Sequence, residues 1–459
     1  MKNTTHETSR LVIGRRPPAA LSRRLLFGYG IGSLGTGMFG SVPGVLLLYF
    51  MTNTLGISAG VATLVVVGPK IWDAISDPLM GIVSDRTRGS WGRRSPFLLA
   101  GAIGLGGTFP LLFNVPSSLS PNESAVYVLV AYVVVATAFT VFQIPYVSLA
   151  AELSEDSEER TRLLVWRMAF VTGGIGLGTA VAPMVVGWLG GGRYGYGVMS
   201  LGLGAVCGFF MLVSFVSTFR LGHAAPEIAP SIKEQFGRVA DNSNFRALGF
   251  VYLMATTAVG LAGAAIPYYV GNVMREDEAT TGVIFLVMLS AAFVSMPIWG
   301  GGARRIGKKR ALNIALGMFA AAVGCILLVD LETGYVWASL LIVVGGAGFG
   351  GSQILCFAML TDVIQRDEHE TGKPAAGAYS GFWLVIDKLG PAAGAAILGT
   401  LLSFGGYAES LSGYAEQPKS ALDAIQFSLS LAPAACAIVA ILGLRFYRID
   451  ELELAKHAA

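Results

Sequence analysis

Charge and sulfur are scarce in this sequence. Only 13% of its 459 residues are charged against 54% hydrophobic, and the mean hydropathy is +0.63. The four cysteines, Cys207, Cys325, Cys356 and Cys436, all lie in apolar segments and none forms a CxxC pair, so neither a disulfide framework nor a thiolate metal site is expected. The four histidines, His6, His223, His369 and His457, fall in loops or tails, which excludes a histidine proton relay inside a membrane. The basic N-terminal stretch has no short apolar core followed by a cleavage site, so no removable signal peptide is expected. A primary pump needs a nucleotide motif on a sizeable soluble domain, and a membrane enzyme needs a convergent nucleophile or metal cluster; neither pattern is present. GGIGLG (173–178) lies inside an apolar run with no strand before it, and reads as helix packing rather than a phosphate loop.

What the sequence has is glycine, 60 of them, and long apolar runs. Small residues let helices approach closely in lipid, and about 20 apolar residues suffice to cross a bilayer. Twelve runs qualify, at about 25–51, 57–83, 96–115, 124–150, 163–190, 196–219, 246–272, 281–301, 311–330, 335–362, 377–404 and 422–445. The expected fold is an all-α membrane protein of two six-helix halves, 1–219 and 245–459. A central polar connection at 220–244 joins them, with Ser231–Arg238 patterned as a short surface helix. Lys and Arg crowd the tails, the central connection and alternate loops, while the opposite loops hold only Arg193, Arg275 and Lys419. By the positive-inside rule both termini face the cytoplasm, in a multi-pass protein of the plasma or inner membrane.

The halves repeat. GRRSPFLLA (92–100) after span two matches GKKRALNIA (307–315) after span eight. QIPYVSLAAELSEDSEER (143–160) matches QILCFAMLTDVIQRDEHE (353–370), with the same spacing from glutamine to Glu152 and to Asp362. A duplicated six-helix unit with a long middle loop is the plan of the major facilitator superfamily, which binds substrate between its halves near mid-membrane.

The stretch from Lys70 to Arg94, KIWDAISDPLMGIVSDRTRGSWGRR, carries the chemistry. Lys70, Asp73 and Asp77 share one face of span two. Each intramembrane charge costs ~2.5–3.5 kcal/mol on the insertion scale, so this stripe faces protein or a watery cavity. Two carboxylates on one face suit a cation site; a structural Lys70–Asp73 ion pair is the plain alternative. Arg167 in span five is either a charge partner for Asp73 or Asp77 or a hydrogen-bond fork for substrate. In span eleven Asp387 and Lys388 point about 100° apart, so they need not bond each other. The opposing view is that Lys388 merely anchors its helix to Asp387. Trp72, Trp166 and Trp383 neighbour charged positions and are candidates for stacking on a sugar ring or an apolar ligand, with packing as the alternative. The loop with Asp85, Arg86, Arg88, Arg93 and Arg94 resembles the signature gating loop of the major facilitator superfamily.

IWDAISDPLMG with DRTRGSWGRR, PYVSLAAELSEDSEERTRLLVWRM and GAYSGFWLVIDKLG together resemble the glycoside–pentoside–hexuronide:cation symporters, the family of the melibiose permease, over nearly the whole chain. That resemblance implies that Asp73 and Asp77 bind the coupling cation, Na+, Li+ or H+, with Arg167 and Lys388 matching the family's span-five arginine and span-eleven lysine. The acids that grip sugar in the family are replaced here by Gly37 and Gln143. Related lysophospholipid carriers also lack the span-one acid, which leaves an amphiphile as the alternative solute; a proton-driven exporter is a further alternative. The substrate cavity is expected at Gly37, Gln143, Tyr146, Trp166 and Trp383, in a monomer that needs no cofactor beyond the cation and binds no nucleic acid.

Overall fold

A computed structural model describes residues 21–154, 157–219, 237, 239–328, 335–371, 376–411, 413 and 415–449. All of its regular structure is helical. Twelve helices are long and apolar enough to span a membrane: α1 Arg23–Asn53, α2 Ala59–Arg86, α3 Ser95–Leu112, α4 Pro121–Ala150, α5 Arg162–Trp188, α6 Gly192–Thr218, α7 Ser243–Met274, α8 Glu278–Ile306, α9 Lys308–Leu328, α10 Trp337–Thr371, α11 Gly377–Phe404 and α12 Lys419–Phe446. The expected surface helix at Ser231–Arg238 falls almost wholly outside the described residues.

Two helices depart from expectation. α10 runs on to Thr371 rather than stopping near 362, because its polar end sustains itself: Arg366 pairs with Glu370 one turn on at 2.7 Å, and the Thr371 hydroxyl donates to the Asp367 carbonyl. α12 is broken at Ser430 (φ −118°, ψ −82°), where Pro433 cannot donate to the Leu429 carbonyl.

Glycine sets the spacing of the helices that hold the site. A Cβ on Gly37 of α1 would come within 2.3 Å of the Val171 carbonyl oxygen in α5, and one on Gly174 within 2.3 Å of the Leu34 carbonyl oxygen. These backbones touch, and no side chain fits between them. α1 packs on α5 and α6, and α7 packs on α11 and α12. Between the halves, α5 packs on α8 and α2 on α11, and the end of α1 meets α7.

The halves meet tightly at one face only, the face opposite the one where α1 begins and α12 ends. There Tyr49 of α1 packs edge-on against Tyr268 of α7 with ring centroids 5.0 Å apart. The Thr52 and Tyr268 hydroxyls are 2.8 Å apart, and Tyr407 in the α11–α12 loop donates to Asn53 Oδ1 at 2.7 Å while accepting from Asn272 Nδ2 at 3.2 Å. Burial pushes the Tyr407 hydroxyl up to about 12, so it remains a donor at any working pH. Among the described residues, every hydrogen bond and ion pair joining the halves lies at this face or deeper, at Lys388. Among the described residues, the halves are therefore tied at this face and not at the one where α1 begins and α12 ends.

Candidate functional site

Asp73 and Asp77 stand one turn apart on α2, with Ser76 on the same face. Lys388 reaches them from α11 in the other half. Its Nζ is 2.5 Å from Asp77 Oδ2 and 3.8 Å from Asp73 Oδ2. Lys70 is 4.0 Å from Asp73 Oδ2, and its ammonium also lies 5.9 Å from the Tyr132 ring centroid. The Thr140 hydroxyl of α4 donates to Asp77 Oδ1 at 2.7 Å. Asp73 Oδ1 and Ser76 Oγ are buried with no partner. An acceptor oxygen left bare in a buried site is costly, and the two carboxylates with the Ser76 and Thr140 hydroxyls make a hard-oxygen set suited to an alkali cation or a proton. Thr140 and Ser76 were not anticipated. Their hydroxyl spacing from the acids on α2 would have pointed to Ser76, but Thr140 is on another helix and gave no local signal.

Several expected site residues are placed elsewhere. Gly37 lies at the α1–α5 contact and lines no cavity, because backbone fills the space where its side chain would be. Tyr146 is fully buried; it stacks on Tyr29 at 4.7 Å and donates to the Tyr29 carbonyl, with its hydroxyl 2.8 Å from that of Ser33. It clamps α4 to α1 and does not face solute. Trp383 is only 3% exposed, stacked at 4.1 Å on Tyr252 of α7. It is packed inside the second half. Trp166 is partly exposed and stacks on Phe170, which meets Phe27 of α1. Trp72 donates to Thr137 on α4. Gln143 is buried one turn beyond Thr140 with Oε1 unpartnered.

Arg167 does not partner the acids, whereas Asp387 and Lys388 part as their helical spacing allows. Arg167 makes no ion pair among the described residues; its guanidinium lies 6.0 Å from the Tyr146 ring centroid and its buried Nε has no partner. Asp387 turns away from Lys388 and accepts a 2.6 Å hydrogen bond from the Tyr252 hydroxyl. The 100° step along the helix sends the two neighbours to different helices, and Lys388 does not anchor to Asp387.

The loop from Asp85 to Arg94 binds within its own half. Buried Arg94 donates to Asp85 at 2.5 Å, to Glu152 at 2.9 Å and to Ser84, while Arg93 meets Glu152 at 2.7 Å. Arg86 and Arg88 are exposed and make no ion pair among the described residues. The second half repeats the arrangement: Lys308, at the start of α9, pairs with Asp362 of α10 at 2.6 Å. Arg93–Glu152 and Lys308–Asp362 occupy matching positions of the sequence repeat.

Comparison with known proteins fits this geometry. The chain is 26% identical over 443 residues to the inner membrane symporter YicJ of Escherichia coli (strain K12), covering 95% of this chain and 94% of that protein. It is 24% identical over 460 residues to the isoprimeverose transporter of Lactiplantibacillus pentosus, covering 98% and 94%. The fold matches that of a bacterial homologue of the human lysosomal transporter Spinster, solved inward-facing and unoccupied, with TM-score 0.66 and 14% identity over 94% of this chain and 97% of that one. The profile of the MFS/sugar transport protein family matches residues 28–451. With its twelve spans, two repeated halves and a charged site between them, this chain belongs to that family of membrane transporters.

Proposed function

We propose that the protein is a cation-coupled symporter that moves a neutral glycoside by alternating access, with both termini cytoplasmic in a plasma or inner membrane. The relatives described as symporters and as an isoprimeverose transporter support the sugar-type solute over an amphiphile. The asymmetry of Lys and Arg supports the orientation.

One observation carries the coupling: the ammonium of Lys388, from the second half, sits on the two carboxylates of the first. Before a cation arrives, Lys388 neutralises Asp77 and ties the halves at mid-depth. Na+, Li+ or H+ entering between Asp73 and Asp77 supplies the same positive charge and releases the lysine, whose flexible stem can leave one partner for another. Both halves are then free to rock about the bound solute. The charge pairs at Arg94–Glu152 and Lys308–Asp362 hold each half rigid through that motion.

The test is uptake of radiolabelled isoprimeverose, pentosides and hexosides by purified protein in sealed vesicles, with an inward Na+, Li+ or proton gradient and without one. Stimulation by at least one gradient is expected. Glycoside uptake indifferent to all three would reject coupling, and an absence of glycoside uptake would reject the solute class.

A further inference from the structure

Three carboxylates lie deep in the spans, and two of them share Lys388. Asp387 is the third. It has no ion-pair partner among the described residues, and its one hydrogen bond comes from the Tyr252 hydroxyl to Oδ1. A lone carboxylate at this depth is costly unless water or a ligand reaches it.

Its place on α11 says what reaches it. One side of α11 packs on α7, where Gly390 abuts Thr256 and Gly394 abuts Leu261; another meets α2, where Gly399 abuts Thr63. Ser380, Asp387, Pro391 and Leu398 form a stripe between these two sides. Ser380, Asp387 and Pro391 are exposed, whereas Leu398, toward the closed face, is fully buried. On the outer side of the helix Val385, Leu389 and Thr400 stay exposed along the whole span, as a lipid-facing surface does. Exposure that ends where the halves meet belongs to the wall of the cavity between them.

The carboxylate is also held still. Tyr252 is buried and sandwiched against Trp383, which fixes the hydroxyl that orients Oδ1. Oδ2 is left without a bond and can only accept. The Nε of Arg167 and the Oε1 of Gln143, both in the other half, are buried without partners.

We propose that Asp387 is a solute-binding residue whose free oxygen accepts hydroxyl hydrogen bonds from a neutral polyhydroxylated solute. Recognition of the solute then comes from the second half and that of the cation from the first. A solute bound at Asp387 lies one residue from Lys388, so both ligands act on the same stretch of α11. This inference rests on the glycoside-symporter reading.

The experiment compares wild type with Asp387→Asn in vesicles, measuring KM for each glycoside of the panel above and the Na+ concentration for half-maximal activation. Asparagine keeps an Oδ1 for Tyr252, so the local fold is retained, and Tyr252→Phe serves as a second variant that frees the carboxylate without removing it. A hydrogen bond to a charged acceptor is worth a tenfold to hundredfold change in binding. We expect Asp387→Asn to raise the glycoside KM at least about tenfold, with cation activation unchanged within about twofold. For the monodeoxy glycoside lacking the gripped hydroxyl, wild type and Asp387→Asn should have the same KM. A wild-type KM in Asp387→Asn overturns the inference alone, as does a change confined to cation activation. If wild type carries no glycoside of the panel, the proposed function fails and the inference falls with it.

Discussion

Lys388 Nζ lies 2.5 Å from Asp77 Oδ2, a bond between residues 311 positions apart and in opposite halves of the transporter. Both side chains keep about a fifth of their surface exposed, so water and small cations have access to the pair. An interior pair that remains wet is strong enough to tie the halves and weak enough to exchange.

Replacing Lys388 with alanine should separate binding from transport. The competitor for the acids is gone, so affinity for the cation should rise, by about tenfold or more. Coupled uptake should be lost. In the absence of Na+ the two acids repel, and the melting temperature should fall; Na+ at 100 times its Kd should return about 2.7 kcal/mol. Isothermal titration and thermal denaturation with and without Na+ check this. Asp73→Asn or Asp77→Asn should instead weaken the cation by more than about 100-fold, and Thr140→Val, which only orients Asp77, by about 10–100-fold. If Asp73→Asn and Asp77→Asn both retained wild-type cation stimulation, the cation would bind elsewhere.

Gly37 and Gly40 lie on the same helix and should respond differently to alanine. The added methyl at Gly37 meets the α5 backbone, while at Gly40 nothing lies within 4 Å. Forcing packed helices apart costs about 1–3 kcal/mol. Gly37→Ala should lower the melting temperature by several degrees and Gly40→Ala should leave it unchanged, as read by fluorescence in detergent. Equal melting temperatures would mean that α1 and α5 are less close than the structure has them. An acid at position 37 has no room at all.

Much of this architecture was legible in the sequence because its cause is local. Span positions follow from runs of apolar residues, and the α2 stripe follows from helical period. What was not legible depends on distance between segments. The sequence could not say that Arg167 sits over Tyr146 instead of near Asp73, since either placement satisfies an intramembrane arginine. Tyr146 and Trp383 looked like cavity residues because they neighbour polar positions. Their burial comes from Tyr29 and Tyr252, on other helices. The contact between the halves at the end of α1 does have a sequence signal. Tyr49 and Asn53 at the end of α1 recur with the same spacing as Tyr268 and Asn272 at the end of α7. Each helix also carries a π-helical segment there, Pro43–Leu47 and Val270–Met274, a feature that often marks functional sites.

Arg94 should matter far more than Arg88, six residues away. Removing the Arg94 side chain breaks its bonds to Asp85, Glu152 and Ser84, and leaves nearly buried Glu152 with Arg93 alone. Truncating one partner in such a buried network costs about 3–5 kcal/mol, against about 0.5 kcal/mol or less for an exposed residue such as Arg88. Arg94→Ala should therefore reduce stability and uptake sharply, and Arg88→Ala neither. Thermal denaturation together with initial uptake rates would distinguish them; indifference to Arg94→Ala would remove the loop from any mechanical role.

Orientation is open to a direct test. Ser90 lies in the α2–α3 loop and Ser118 in the α3–α4 loop, and both are exposed. With a single cysteine placed at each in a background lacking the four native thiols, a membrane-impermeant maleimide added to intact cells should label position 118. Position 90 should react only after lysis. The reverse pattern would invert the protein and place both termini outside.

Closure of the face where the halves meet should be set by Tyr407. Its hydroxyl both donates to Asn53 of the first half and accepts from Asn272 of the second, so Tyr407→Phe leaves two amide groups without that partner while keeping the ring that packs on Tyr268. Losing those bonds at a contact between halves costs about 1–3 kcal/mol. At 1.4 kcal/mol per factor of ten, the ratio of closed to open forms at that face should fall by about 5- to 150-fold. Spin labels at Ser118 and Glu276, exposed positions in opposite halves at that face, would report the change as a longer-distance population absent from wild type. Because the Tyr407 hydroxyl keeps its proton until about pH 12, the wild-type distribution should not shift between pH 5 and pH 9 on its account. If Tyr407→Phe left the distances unchanged, closure would have to rest on the other ties of that face, the Thr52–Tyr268 hydroxyl pair and the Tyr49–Tyr268 ring contact among them, and Tyr49→Ala combined with Thr52→Val would then produce the opening that Tyr407→Phe did not.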